Sequence, residues 1–181
     1  LPETLKIVAL GVFAAVAYGI VHDSVTTRVC VEYFTVGHPP ILGGTRSPWL
    51  LSLGWGVIAT WWVGFGLGLL MAFACRSGSR PRLPAADLLR PLARLLVIMA
   101  VVSFVAGVAG YLSARAGWVW LHGFLAETIP RERHPLFIAD LWAHLAAYAS
   151  AFVGGVTLVI RASLRRTAMA AEARRPPVPT D

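Results

Sequence analysis

The sequence predicts an all-α membrane protein with four transmembrane helices, and three observations carry that prediction. Of 181 residues, 57% are hydrophobic and only 14% charged, whereas a soluble domain carries about 25% charged residues. The mean hydropathy is +0.68. The apolar residues come in long runs separated by short basic tracts, which points to lipid as the solvent for most of the chain.

The spans are expected at about 5–22, 49–75, 92–113 and 136–161. The first is at the short end for a crossing, and Lys6 can snorkel back to the surface. Ala15-Val16-Ala17 resembles a signal-peptide cleavage site. Glu3 cancels Lys6, however, so the charged start of a signal peptide is missing and a retained span is the better reading. The second run holds no charge at all. Its Gly64 and Gly68 form a GxxxG pair that lets another helix approach closely, and tight packing within the chain is preferred there over dimerisation. Pro91 suits the first turn of the third span, which an amphipathic segment at 85–96 introduces. Trp118, Trp120 and Phe124 then suggest an interfacial helix or an aromatic belt.

Between the first two spans, residues 24–47 form a partly structured loop. Its β-branched and aromatic stretch from 25 to 34 suits either a short strand or an extension of the first helix. Beyond the fourth span, residues 167–181 have no core pattern and are expected to be a disordered cytoplasmic tail. Residues 1–166 therefore make one four-helix domain.

Charge sets the expected topology. Lys6, the arginines of the connector near 76–94 and those of the tail total eleven basic residues on one side. The other side holds five: Arg28, Arg46, Arg115, Arg131 and Arg133. The positive-inside rule makes the richer side cytoplasmic and puts both termini there. The net charge of +7 is thus solvated cytoplasmic charge, and no nucleic acid is expected as a partner. Cys30 and Cys75 fall on opposite sides and cannot pair.

This topology gathers all five histidines on the outer half. Asp140 and His144 are four residues apart on one helix face, with Tyr148 continuing it. Tyr18 and His22 are spaced alike on the first span, and Asp23 adjoins them. Ionisable groups inside a span are expensive and face a protein interior or a water-filled cavity. Four readings follow. The groups pin helices in register; or His22, Asp23, Asp140 and His144 bind a metal such as zinc or copper. Alternatively, they ligate haem iron or line a quinone pocket, or they relay protons in transport. Trp61 and Trp62 lie mid-span and are expected to meet lipid or a neighbouring subunit.

No phosphate-binding glycine loop, nucleophile elbow or Walker pattern is present, which leans away from an enzyme. The leading expectation is a structural or accessory subunit of a larger membrane complex, or a homo-oligomer, in contact with the bilayer. A cofactor protein is the alternative, and a proton-coupled transport component the second alternative.

The stretch YGIVHD at 18–23, followed by RVCVEYFTVGHPP at 28–40 and WGVIATWWVG at 55–64, resembles a group of uncharacterised bacterial multi-pass membrane proteins. The resemblance covers the first third of the chain. It implies a bacterial inner-membrane setting and carries no catalytic role.

Overall fold

Four helices are long and apolar enough to cross a membrane, over Glu3–Val29, Pro48–Arg76, Ala86–Arg115 and Arg131–Glu172. They come from a computed structural model that describes residues 1–174. In chain order the helices are α1 (Glu3–Val29), α2 (Val31–Thr35), α3 (Pro48–Ile58), α4 (Trp61–Arg76), α5 (Ala86–Arg115), α6 (Gly123–Thr128) and α7 (His134–Glu172). Among the described residues there is no strand. The stretch 25–34 therefore resolves as helix: α1 extends to Val29, and α2 follows after a one-residue break at Cys30.

The bundle is two helix pairs laid together. α1 packs along α3 and α4, α5 packs along α7, and a smaller α4–α7 contact joins the pairs. Its interior mixes small residues with large ones such as Phe34, Leu51, Trp55 and Phe137, while Phe13, Trp61, Trp62, Phe73, Phe104 and Phe152 point outward. A water-soluble bundle would hide such side chains; a helix solvated by lipid need not.

Glycine sets the α1–α4 spacing. A Cβ at Gly64 would lie 2.5 Å from the Gly11 carbonyl oxygen and 2.7 Å from the Ala15 Cβ, and one at Gly68 would lie 3.1 Å from Val8. The GxxxG face of α4 is thus occupied by α1 of the same chain. Gly64→Ala is expected to cost roughly 1–3 kcal/mol through overpacking against backbone. Gly66→Ala, where nothing lies within 4 Å, is the control. Detergent melting curves check this, and equal melting points for the two variants would contradict the packing described.

The second span is not one continuous helix. It breaks at Ala59–Thr60, where the Thr60 hydroxyl donates to the Gly56 carbonyl at 2.5 Å and the Thr60 N–H reaches back only to Val57 at 3.3 Å. A threonine bonding backwards in this way bends a helix. The third span has no separate amphipathic lead-in. α5 is continuous from Ala86, and Pro91 sits inside it rather than in its first turn. It ends at Gly117, whose φ of +74° allows Trp118 N–H to bond Ser113 and Gly117 N–H to bond Ala114, a Schellman closure. The expected aromatic segment contains the short helix α6.

α7 runs on to Glu172, so the first six residues of the expected disordered tail are helical. Residues 175–181, where the rest of that expectation falls, lie outside the described residues. At this end Arg166 is fully buried. It donates to the carbonyls of Ala74, Ser77, Arg80 and Pro81 at 2.6–3.0 Å and so ties the connector after α4 onto α7.

Candidate metal centre

Two features of the fold build the site. The last turns of α1 carry Tyr18, His22 and Asp23, and the third turn of α7 carries His144. α1 and α7 meet only over a short stretch, and these side chains occupy it. His144 Nε2 lies 3.2 Å from Asp23 Oδ1, and the His22 and His144 rings meet edge to face with centroids 4.5 Å apart. One ligand atom from each of His22, Asp23 and His144 falls within 4.8 Å of the others.

The hydrogen bonds fix the tautomer. His144 Nδ1 lies 2.7 Å from the Asp140 carbonyl oxygen. A carbonyl only accepts, so Nδ1 carries the hydrogen and Nε2 is turned to Asp23. The Asp23–His144 contact then needs one proton between its two atoms, or a cation in that proton's place. His22 Nε2 is buried with no partner at all. A buried polar atom left unpaired is costly, and this one faces two other potential ligands.

Asp140, expected as a ligand, is not brought into the group. Its carboxyl lies against the backbone of Cys30 at the end of α1, and its Oδ2 has no partner. It serves His144 through its main-chain carbonyl, the kind of outer contact that orients a ligating imidazole. Arg115 is exposed on α5. Tyr148 donates from its hydroxyl to the Ala59 carbonyl at 3.4 Å. Gly64 and Gly68 lie in the α1–α4 seam, and Trp61 and Trp62 face outward.

α2 closes the site from outside. Tyr33 stacks on His144 with centroids 4.4 Å apart, and Phe34 meets the same ring edge-on at 5.6 Å. Glu32, on the same short helix, accepts from Arg133 at 3.1 Å and Arg46 at 3.2 Å, which anchors α2 to the start of α7. Burial pushes the Glu32 carboxyl up. Its own backbone N–H, the Cys30 thiol and Arg133 outweigh that and hold it below the ordinary value of 4.5. The Cys30 thiol is driven up to about 12, first by burial, so at neutral pH it stays a thiol donating to Glu32.

A pH effect follows from the sign of the Glu32 shift. A depressed folded pKa contributes stability that is complete above 4.5 and is lost as pH falls through the lower folded value. Glu32→Gln is therefore expected to melt below the wild type at neutral pH, with the gap closing in acid. A gap that persists unchanged below the ordinary carboxylate range would contradict the anchoring role.

Beside the three ligands lies a cavity of about 80 Å³, bordered also by Tyr18, Tyr33, Trp55, Thr60 and Tyr148. The bent segment Ala59–Thr60 is part of its wall, so the irregular backbone within this apolar span borders a cavity. Sequence reasoning missed this bend and the α2 cover, and no motif in the chain marks either. Compared with known protein families, with curated proteins and with solved structures, the chain matches none.

Proposed function

We propose that the chain is a multi-pass membrane protein that binds one divalent transition-metal ion through His22, Asp23 and His144. The observation that carries this reading is the convergence of those three ligand atoms within 4.8 Å, with His22 Nε2 buried and unpartnered among them. Two imidazoles and one carboxylate suit iron(II) and zinc, and imidazole also suits copper. At bonds of about 2.1 Å, ligands of one ion stand roughly 3–4 Å apart. The Asp23–His144 pair is already at that spacing, and the ligand atom of His22 lies within 4.8 Å of both. A haem or a quinone is disfavoured, because sites for organic ligands run to roughly 300–1,000 Å³ and the cavity is about 80 Å³.

The orientation with both termini cytoplasmic rests on the eleven-to-five division of basic residues. The bacterial inner-membrane setting rests on the resemblance of residues 18–64. An accessory-subunit role is the second reading. It is favoured by the outward groove on α4 between Trp62, Gly66, Leu70 and Phe73, a shape that suits an apolar helix of another subunit.

Metal titration with proton counting tests the proposal. Metal displaces the proton that the Asp23–His144 pair holds, so loading a metal-free, weakly buffered sample is expected to release about one proton per ion from that pair, and affinity to fall as pH falls. Saturation near one ion per chain in the wild type, lost in Asp23→Asn, supports the site. Equal uptake by both proteins would sink it.

A further inference from the structure

We infer that the open side of this metal centre takes a small neutral diatomic ligand, of the dioxygen and nitric oxide class, held in the cavity between α1, the α3–α4 bend and α7. The inference rests on the metal reading and adds the ligand to it.

Three protein ligands leave an ion incomplete. A four-coordinate ion keeps one position and a six-coordinate iron(II) ion keeps three, the arrangement of centres that bind an exogenous ligand. His22, Asp23 and His144 all border the cavity, so an ion among them faces it.

Size and lining then select the ligand. A cavity of about 80 Å³ has room for a few molecules of about the size of water and falls well below the roughly 300–1,000 Å³ of sites for organic ligands. Ala15, Val63, Met99, Ala147 and Ala151 line much of the wall. No lysine or arginine borders it, so any positive charge there would come from the ion alone. The hydroxyls of two lining tyrosines are engaged with protein: Tyr18 with Ser103 at 3.3 Å and Tyr148 with Ala59. Ser103 donates in turn to the Ala143 carbonyl, so the Tyr18 hydroxyl is the donor to Ser103 and points its hydrogen there. What remains is an apolar chamber beside a Lewis-acidic ion. A neutral diatomic also dissolves in the hydrocarbon of a bilayer, and can reach the chamber without an aqueous channel.

The test uses the full chain in detergent, loaded anaerobically with iron(II), with iron per chain measured before any ligand is added. Nitric oxide is the probe, followed by electron paramagnetic resonance and visible absorption. The wild type is expected to form one nitrosyl adduct per iron. Ala147→Leu fills the chamber one turn from His144 and removes no ligand atom. It is expected to keep its iron while nitric oxide affinity drops at least tenfold. Ala151→Leu fills the far end and serves the same purpose if the first variant misfolds. Full iron with no nitrosyl adduct, or adducts equally strong in the filled variants, would overturn the ligand assignment and leave the metal site standing. No iron in the wild type would overturn the ligand assignment, and failure to take up zinc or copper as well would overturn the metal reading with it.

Discussion

His144→Ala is expected to empty the metal centre. The imidazole supplies one of only three ligands, and its Nε2 stands 3.2 Å from Asp23. Removing even an outer group that orients a ligand costs about 10–100-fold in metal affinity, so losing the ligand itself should exceed about 100-fold and leave the purified protein metal-free. The same change strips Asp23 of its partner inside the bundle. A hydrogen bond to a charged group is worth roughly 1.5–3 kcal/mol, so the variant should also melt lower. Two readouts separate the effects. Phe152→Ala, on the outward face of α7, controls for a truncation without a ligand role. Elemental analysis against the wild type reports binding, and a melting curve of the metal-free proteins reports packing. Undiminished metal in His144→Ala would remove it from the site, whatever the melting curve shows.

Arg166→Ala is expected to loosen the opposite end of the bundle. The guanidinium is fully buried and donates to four carbonyls, of Ala74, Ser77, Arg80 and Pro81. Ala74 and Ser77 belong to the end of α4, where carbonyls lack partners inside the helix. Alanine would leave several of these acceptors buried and unpaired, at a cost on the order of 3 kcal/mol. Arg166→Lys should recover little, because an ammonium cannot spread its donors as a planar fork does. The expected result is a clear fall in detergent melting temperature with metal content unchanged. A melting point equal to that of the wild type would mean that the connector is held by other contacts.

The four spans are legible in the sequence because an apolar run long enough to cross a bilayer needs no tertiary context to be recognised. The fine structure of the spans needs that context. Gly56 and Thr60 look like ordinary span residues. At the bend the Thr60 hydroxyl takes the Gly56 carbonyl, and Gly19 of α1, without a Cβ, lets both come close. Val31–Thr35 has the composition of a strand, yet it folds as helix, with Tyr33 and Phe34 finding cover against α7. Arg166 belongs by sequence to a solvated basic cluster. Its burial depends on the path of the connector after α4, which no local pattern sets.

The candidate site is partly legible for the same reason. An ionisable group inside a span announces itself by its cost, which singles out His22, Asp23, Asp140 and His144. Which of them face one another depends on helix rotation. Asp140 and His144 share a face of α7, but the Asp140 carboxyl meets the end of α1 at Cys30 while His144 meets Asp23. The i, i+4 spacing therefore marks the right neighbourhood and one ligand too many.

The measurement closest to the central claim is X-ray absorption at the metal edge of the loaded wild-type protein. Two imidazole nitrogens and at least one oxygen are expected at about 2.0–2.2 Å, with one imidazole lost in His22→Ala. A shell of oxygens alone, without imidazole scattering, would contradict that claim and leave Asp23 and His144 as a clamp between α1 and α7.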